Sequence, residues 1–384
     1  MASDVCRRRE QLVSPNDPAL QVLIDRVHSA RSAGAQLRIR GGGSKDFYGE
    51  APQGELLDTR VLEGTSSYEP TELVVTTRCG TSLAELEALL ATKGQCLPFE
   101  PPHFGSLDAH PRDRGATVGG MVAAALSGPS RAAVGSVRDH VLGATLLNGK
   151  GEVLSFGGQV MKNVAGYDVS RLLAGSMGTL GVILEVSLKV MPIAPATLTL
   201  RMEMDEATAL AKLNEWGGLP LPLNASAWWA GNLIVRLRGA LAAVQAARAR
   251  LGGDLVEPEF AGPFWDGLRH HDDEFFAKAH TAVASGAALW RLSVPSTAPA
   301  LPLSGEQLIE WGGAQRWLCS AMPAASVRDI AAKAGGHATL FAANDKAAGA
   351  FAPLQSPLDR IHRELKKSFD PSGIFNPGRL YPDL

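Results

Sequence analysis

Apolar residues in the amino-terminal part of the chain alternate between helical and extended spacing. Between Leu20 and Val27 they recur every three or four positions, behind an Asp17-Pro18 pair that is typical of a helix start. Residues 36–40 alternate between apolar and polar side chains and predict a strand that runs directly into a glycine loop. Residues 73–78 are rich in β-branched side chains and predict a second strand, followed by a helix.

Antiparallel pairing is predicted in the next part of the chain. Two apolar runs, residues 141–147 and 152–156, flank an Asn148-Gly149 pair, which is a strong signal for a β-hairpin. A further strand is predicted over residues 182–190, directly after a glycine run at residues 175–181. Helices and antiparallel strands in one segment indicate an α+β fold.

Composition changes after residue 194, where Ala, Pro and Trp become common. Strands are predicted near residues 198–202, 227–229, 233–238, 289–294, 308–311, 316–321 and 337–341, and helices over residues 206–216, 241–251, 326–333 and 358–369. Residues 370–379 contain two prolines and two glycines, which predicts a rigid tail packed on the body of the protein. These changes divide the chain into a first domain at residues 10–194, a second at residues 195–355, and a carboxy-terminal helix and tail at residues 356–384.

Size, charge and cysteine content exclude several classes of protein. The 384 residues include 45% hydrophobic and 20% charged side chains, which is a globular composition. The 37 basic and 39 acidic residues give a net charge of -2, so no overall positive field recruits nucleic acid or anionic lipid. Cys6, Cys79, Cys96 and Cys319 are scattered, so this chain alone offers no zinc or iron–sulfur site, and a reducing compartment is expected. The sequence contains no secretory leader and no apolar run of membrane-spanning length, so a protein that is not exported is expected.

Three clusters of glycine are the strongest candidates for ligand binding, because closely spaced backbone N–H groups bind phosphate oxygens. They lie at residues 41–49, 115–120 and 175–181. None fits a Rossmann fingerprint, which requires G-x-G-x-x-G between a strand and a helix, and Lys45 lacks the neighbours of a P-loop lysine. Two interpretations stay open at this stage: tight turns in a glycine-rich fold, or a dinucleotide site built from several loops.

Four runs of sequence resemble one known family. They are RGGGSKDFYG (residues 40–49), GATVGGMVAAALSGPSR (residues 115–131), GGQVMKNVAGYDVSRLLAGSMGTLGVILEVSLKVMP (residues 157–192) and FDPSGIFNPGRLYP (residues 369–382). Together they resemble the FAD-binding domain of the vanillyl-alcohol oxidase type, also called the PCMH type. The resemblance implies a FAD-binding domain of two α+β subdomains, then an α+β cap with an antiparallel sheet, and a tail that docks back on the FAD-binding domain.

The resemblance also implies which residues hold the cofactor. In the family the first glycine loop cradles the FAD diphosphate, the second run passes along the flavin ring and ribityl chain, and the third closes over the adenine side. Carried over to this sequence, the cofactor-binding residues are Arg40, Gly41, Gly42, Gly43, Ser44, Lys45, Gly115, Ala116, Thr117, Gly119, Gly120, Ser127, Gly128, Arg131, Gly181, Val182 and Ile183. Some relatives attach FAD covalently to a histidine in the first loop. Ser44 stands there in this chain, so non-covalent FAD is predicted.

Within the family the chain is similar to the smaller of two homologous flavin subunits of glycolate oxidases. This similarity implies a FAD-dependent oxidoreductase acting on the CH–OH group of a small 2-hydroxy acid, glycolate or D-lactate, in glyoxylate metabolism. It also implies a larger homologous FAD subunit and an iron–sulfur subunit as partners, with quinone as the eventual acceptor. A cytoplasmic location is implied, and contact with the inner face of the membrane through the partners is left open. The alternative is a catalytically silent or electron-relay subunit that supports the larger one.

Some positions depart from the family pattern. Met177 replaces an acidic residue of relatives that oxidise 2-hydroxy acids, and His337 stands alone where those relatives have a metal-binding pair of histidines. We therefore predict no metal site and identify no catalytic residue. Arg291 and Arg316 lie on predicted strands and are either ligands of a substrate carboxylate or ordinary surface arginines.

The remaining chemistry-bearing residues receive structural interpretations. His270 and His271 lie beside acidic residues and are predicted on a solvated helix face. Four tryptophans of the second domain are predicted in its core or in a subunit interface: Trp228, Trp229, Trp311 and Trp317. Residues 103–114 are longer than the family pattern predicts, which leaves their effect on the approach to the flavin open.

Overall fold

The computed structural model describes residues 17–105, 115–158 and 168–384. Its helices are α1 (Pro18–Ala33), α2 (Leu83–Ala91), α3 (Val118–Ala124), α4 (Arg131–Val134), α5 (Val137–His140), α6 (Val169–Leu172), α7 (Glu206–Gly217), α8 (Leu241–Leu251), α9 (Pro258–His270), α10 (Glu274–Ala284), α11 (Ala324–Lys333) and α12 (Leu358–Phe369). Its strands are β1 (Leu37–Arg40), β2 (Glu55–Asp58), β3 (Thr65–Glu69), β4 (Val74–Arg78), β5 (Gln95–Cys96), β6 (Val141–Leu147), β7 (Val153–Gly157), β8 (Val182–Lys189), β9 (Met191–Pro192), β10 (Ala196–Glu203), β11 (Leu223–Trp229), β12 (Asn232–Gly239), β13 (Asp254–Val256), β14 (Ala288–Ser293), β15 (Glu306–Glu310), β16 (Gln315–Ser320) and β17 (His337–Ala343).

A small subdomain opens the fold. The carboxylate of Asp17 caps α1 by accepting a hydrogen bond from the N–H of Ala19, as the Asp17-Pro18 pair predicts. The buried side chains of α1 pack in a core that includes Leu37 of β1 and Leu57 of β2, and these two strands pair in parallel. β1 ends where the first glycine loop begins, so the core of this subdomain fixes the start of that loop.

An antiparallel sheet of five strands forms the second subdomain among the described residues, in the order β3–β4–β8–β6–β7. The predicted hairpin is present: β6 and β7 pair around Asn148, whose side-chain oxygen accepts the N–H groups of Lys150 and Glu152. β8 runs through the sheet and is buried along nearly its whole length. Both subdomains share one hydrophobic core, which holds the loops between them in fixed positions.

The second domain contains, within the described ranges, an antiparallel sheet of eight strands in the order β13–β10–β12–β11–β15–β16–β14–β17. Helix α8 packs on β10 and β12, α10 on β14 and β16, and α11 on β17. This is the predicted cap, so the α+β fold class is confirmed. Trp317 lies in its core, as predicted, and is almost fully buried.

The sequence pattern does not predict α9 and α10, because Pro263 lies inside α9 and a polar run separates the two helices. The prediction of a solvated helix face was wrong for His271, whereas His270 lies on a helix and is half-buried. α9 ends at His270, and His271 adopts a left-handed conformation with φ of 60°. Its ring stacks on that of Phe276 at a centroid distance of 3.9 Å, so aromatic packing takes the place of solvent.

Charged side chains join the two domains. Glu100 follows β5, and its carboxylate pairs with Arg236 at 2.7 Å and with Arg238 at 3.0 Å, both from β12. Trp311 donates its indole N–H to the carbonyl of Gly128 at 3.1 Å. These contacts hold the cap over the first two glycine runs.

The predicted domain boundaries at residues 194/195 and 355/356 stay predictions, although α12 and the tail after it return to the first domain. Cys6, residues 159–167 and most of residues 103–114 lie outside the described part of the chain. Within that part, no helix combines the length and the apolar character that crossing a membrane requires.

Candidate cofactor site

Two adjoining cavities lie where the glycine runs meet. The first has a volume of about 90 Å³ and the second about 70 Å³, and both are lined by Ile39, Gly41, Gly120, Met177 and Asn376. The end of β1, the start of α3, the turn before β8 and the carboxy-terminal tail therefore converge on one place. Segments far apart in the sequence build this site together.

Most of the predicted cofactor-binding residues line these cavities. In the first cavity they are Arg40, Gly41, Gly42, Gly43, Ser44, Lys45, Gly115, Thr117 and Gly120. In the second they are Gly41, Gly119, Gly120, Gly181 and Ile183. The predicted residues that line neither are Ala116, Ser127, Gly128, Arg131 and Val182. Arg131, for example, places its guanidinium over the ring of Trp311 at 4.8 Å.

The first two glycine runs cross at backbone contact. A Cβ atom on Gly42 would overlap the carbonyl oxygen of Gly115, and one on Gly41 would overlap the hydroxyl of Thr117. Gly43 has φ of +80°, which residues with a side chain rarely adopt. Because the glycines carry no side chains, backbone groups of both runs reach the cavity, and this arrangement suits a phosphate ligand.

Thr117 shapes the second run. Its hydroxyl accepts a hydrogen bond from the N–H of Gly120 at 3.2 Å and caps α3. A Cβ atom on Gly119 would lie 2.6 Å from the Cβ of Cys79, so this helix packs closely on the end of β4. The small residues of α3 thus bring its first turn to the cavity wall.

A buried ammonium group lies at the first loop. Lys45 is 9% exposed, and its Nζ is 3.3 Å from the hydroxyl oxygen of Ser44 and 5.4 Å from the ring centre of Phe104. None of the described residues forms a salt bridge with Lys45. Burial lowers the pKa of Lys45 to about 7, so a negative ligand at this place would favour the charged form.

Further cations surround the same cavity. Arg38 lines it with a buried Nε atom that has no hydrogen-bond partner among the described residues. Arg40 pairs with Asp46 at 2.6 Å, whereas the buried guanidinium of Arg379 binds backbone carbonyls. Positive charge therefore exceeds negative charge at the described wall of the cavity. This donor set fits the diphosphate of a dinucleotide such as FAD.

Sequence reasoning did not assign a role to Asn376 or Arg379, although both stand in the FNPGR run of the tail. The side-chain oxygen of Asn376 accepts the N–H of Ile39 at 2.7 Å, and its amide nitrogen donates to the carbonyl of Met177 at 2.7 Å. The quoted motif was the available signal, but it does not reveal which loops these side chains reach.

Aromatic rings from both domains pack next to the first loop. Phe47 and Tyr48 follow Lys45, and both contact Phe341 of β17 at centroid distances of 5.5 and 5.3 Å. Phe104 contacts Phe47 at 5.4 Å and His271 at 4.9 Å. The cap therefore meets the first domain through an aromatic surface beside the cavity.

The two arginines proposed as carboxylate ligands occupy different environments. Arg316 is fully buried and donates to the carbonyls of Gly313 and Ala298, at 2.8 and 2.9 Å, so its role is structural. Arg291 is half-buried, donates to the hydroxyl of Tyr48 at 3.0 Å and lies over the ring of Phe341. Arg291 thus belongs to the aromatic surface beside the first loop.

His337 begins β17 and is exposed. Among the described residues, no three His, Cys, Asp or Glu side chains converge as ligands of a metal ion.

Comparison with known proteins identifies the family of the chain. The family described as "FAD binding domain" matches residues 19–157. The glycolate oxidase subunit GlcE of Escherichia coli K12 is 48% identical over 364 residues, which cover 95% of this chain and 98% of that protein. FAD is therefore the cofactor of this chain, and the recognition of a glycolate oxidase flavin subunit is confirmed.

Two further relatives each match about 40% of the chain. The glycolate oxidase subunit GlcD of Bacillus subtilis is 29% identical over 155 residues, 40% of this chain and 31% of that protein. The mitochondrial D-lactate dehydrogenase [cytochrome] of Arabidopsis thaliana is 30% identical over 155 residues, 40% of this chain and 25% of that protein. A solved structure of alkyldihydroxyacetonephosphate synthase superposes with a TM-score of 0.61 at 16% identity, over 93% of this chain and 75% of that one. The latter likeness concerns the fold alone.

Proposed function

Because this chain belongs to the family of the glycolate oxidase subunit GlcE, we propose that it is the FAD-binding subunit of a glycolate oxidase complex that oxidises glycolate to the 2-oxo acid. D-lactate is the second candidate substrate, since the relatives that match part of the chain include D-lactate dehydrogenases. The observation that carries the proposal is the crossing of three glycine runs at a basic cavity in a chain of this family.

We assign different residues of the chain to different parts of FAD. We assign the diphosphate to the backbone N–H groups of residues 41–45 and to the ammonium group of Lys45, which has the charge and the burial that a diphosphate needs. Residues 115–120 and 178–183 are assigned to the rest of the cofactor. Ser44 has no ring nitrogen for covalent attachment, which supports non-covalent FAD. When bound, FAD would accept the α-hydrogen of a 2-hydroxy acid together with the electron pair of the C–H bond.

We propose Arg291 as the residue that binds the carboxylate of the substrate. Its guanidinium reaches across from β14 to Tyr48, three positions after Lys45, and it can bind a carboxylate through two parallel hydrogen bonds. The aromatic rings of Tyr48 and Phe341 around it exclude water, which strengthens such an ion pair. Arg316 is not a candidate, because its donors are used by buried carbonyls.

The complex is proposed to contain a larger homologous FAD subunit and an iron–sulfur subunit, with quinone as the final acceptor. The match of 155 residues to GlcD supports the homologous partner. The four cysteines of this chain are too far apart in sequence to resemble a run of cluster ligands, which supports transfer of electrons to another chain. A cytoplasmic location, with membrane contact through the partners, belongs to the same proposal.

A second candidate function is a silent or electron-relay subunit that binds FAD but does not oxidise substrate. The packing of the aromatic surface favours it, because Arg291 already binds Tyr48 and its guanidinium is covered by two rings. A substrate carboxylate would have to displace the Tyr48 hydroxyl.

One experiment separates the two functions. The protein is expressed alone, its visible spectrum is recorded, and glycolate or D-lactate is added without oxygen. Flavin released into the supernatant on denaturation would establish non-covalent FAD. Bleaching of the flavin by glycolate in the wild type, lost in Arg291→Met and kept in the control Arg201→Met on the exposed face of β10, supports oxidation by this subunit. Bound flavin that no 2-hydroxy acid bleaches supports the silent subunit.

A further inference from the structure

The carboxy-terminal tail forms the outer side of the first glycine loop. We propose that Arg379 is a positioning residue for the FAD diphosphate: it binds the carbonyl groups of residues 45, 46 and 50 and thereby holds the loop with its N–H groups free for the diphosphate. This inference rests on the proposed assignment of the diphosphate to residues 41–45.

The hydrogen bonds of the Arg379 guanidinium go to the loop. Its Nη2 donates to the carbonyl oxygens of Lys45 and Asp46, each at 3.1 Å, and its Nη1 donates to the carbonyl of Glu50. In return the carbonyl of Arg379 accepts the N–H of Glu50 at 3.2 Å. The residue is 6% exposed. A planar guanidinium can serve several carbonyls at fixed angles, which an ammonium group cannot.

The tail reaches the loop on a rigid support. Nζ of Lys366, near the end of α12, donates to Asp370 at 2.7 Å and to the carbonyls of Thr179 and Phe375 at 2.8 and 2.7 Å. Beyond it, Asn376 ties the tail to β1 and to the turn before β8. Both anchors act on parts of the chain other than residues 41–50, so the position of Arg379 is set independently of the loop.

Charge gives Arg379 a second role. No described carboxylate lies within salt-bridge distance of its guanidinium, and Asp46 is already paired with Arg40. Its guanidinium therefore lies directly behind the loop without a direct ion pair, although the carboxylates of Asp46 and Glu50 interact with it at longer range. In a poorly solvated site such a charge attracts a diphosphate strongly.

The test measures ligand binding to apoprotein without any turnover. Wild type, Arg379→Lys and Arg379→Gln are titrated with FAD, with ADP, which carries the diphosphate but no flavin, and with riboflavin, which carries the flavin but no diphosphate. Arg363→Gln is the matched control, because Arg363 is an exposed arginine of α12 that pairs with Asp383.

We expect Arg379→Gln to weaken FAD and ADP by about tenfold or more and to leave riboflavin within about twofold, since its hydrogen bonds hold the loop assigned to the diphosphate and its charge lies behind that loop. Arg379→Lys keeps the positive charge but lacks the planar guanidinium that donates to several carbonyls at once. We therefore expect its ADP affinity to lie between those of wild type and Arg379→Gln. In hydrogen exchange of the apoproteins, amides 42–46 exchange faster in both variants than in the control. If Arg379→Gln does not fold, the ADP affinity of Arg379→Lys tests the proposal instead.

Two results would overturn the inference: unchanged ADP affinity in folded Arg379→Gln or Arg379→Lys, or an equal loss for ADP and riboflavin, which would mean a general structural role. A wild-type apoprotein that binds neither FAD nor ADP would refute the proposed function itself, and the inference with it.

Discussion

Individual glycines at the crossing of the runs differ in what a side chain would meet. Valine at Gly42 would overlap the carbonyl of Gly115, so the two runs would have to separate. Cβ at Gly120 would meet only the hydroxyl of Thr117, at 3.2 Å, and would otherwise point into space that both cavities share. The first substitution strains the fold, whereas the second occupies the site.

We therefore expect Gly120→Val to fold with wild-type helicity and to lack FAD, and Gly42→Val to lose both FAD and stability. Gly217→Ala is the control, because no atom lies within 4 Å of a Cβ at that position. The measurement is the FAD-to-protein ratio after purification together with far-ultraviolet circular dichroism. Stoichiometric FAD in Gly120→Val would contradict the assignment.

Lys45 should make FAD affinity depend on pH. Burial lowers the pKa of Lys45 to about 7 in the apoprotein, against 10.5 in water. Below about pH 7 the folded protein must bury a charged lysine, which destabilises the fold. This destabilisation disappears as the pH rises towards 10.5. A bound diphosphate favours the charged lysine. FAD affinity should thus be highest below pH 7 and fall above it, by at most about tenfold per pH unit.

Titrations of apoprotein with FAD between about pH 6 and 9 test this dependence. Lys45→Arg stays charged throughout, so its affinity should be nearly constant over the range. Lys45→Met should bind weakly at every pH. A wild-type profile as flat as that of Lys45→Arg would assign the diphosphate elsewhere.

Among the elements, α12 depends on one buried ion pair. Lys366 and Asp370 have side chains that are 10% and 0% exposed, and Asp370 also accepts the N–H groups of Ile374 and Phe375. Asp370→Asn leaves the ammonium group buried without its carboxylate and should cost about 3–5 kcal/mol. Asp383→Asn, in an exposed pair, should cost at most about 1 kcal/mol. Urea denaturation measures both, and equal losses would show that the buried pair does not hold the tail.

Element prediction succeeded where the apolar period is uninterrupted. The predicted bounds of α8 and α12 agree with the structure to the residue, and the Asn148-Gly149 turn lies between β6 and β7. It failed for α9, where Pro263 interrupts the pattern, and for α10, which begins in a run of charges. Local sequence cannot show that the burial of Phe275 and Phe276 compensates for these signals.

The candidate site also has a part that the sequence predicts and a part that it does not. Glycine runs can be found locally, because tight backbone contact restricts the residue type. The roles of Asn376 and Arg379 depend on contacts with residues more than 300 positions away, and no local period encodes them. Of the five predicted residues outside both cavities, Ala116 and Val182 directly follow glycines that line a cavity, so proximity in sequence did not place them at the wall.

At the scale of the whole molecule, Glu100 links the two domains. Burial raises its pKa, and the guanidinium groups of Arg236 and Arg238 lower it by more, so the pKa of Glu100 lies below its usual value of 4.5. The pair then stabilises the fold above pH 4.5, and this contribution is lost as the pH falls through the lower native pKa.

Glu100→Gln should reduce the free energy of unfolding by about 3–5 kcal/mol at neutral pH, because Arg236 remains buried without its carboxylate. The difference from wild type should shrink once the pH falls below 4.5. Glu203→Gln, at an exposed glutamate of β10, is the control and should show neither effect. Denaturation across pH measures the difference, and one that does not change with pH would argue against the ion pair.

The separation of 334 positions between Lys45 and Arg379 also sets an order in time. A ribosome makes the glycine loop first and needs roughly 20–70 s at 5–20 residues per second to reach the arginine that positions it. Until then, a nascent or prematurely terminated chain contains the glycine loop but lacks the Arg379 side chain that positions it. Tight binding of the yellow cofactor is therefore expected only after residue 379 has been made, and products truncated before it should retain less FAD than the whole chain.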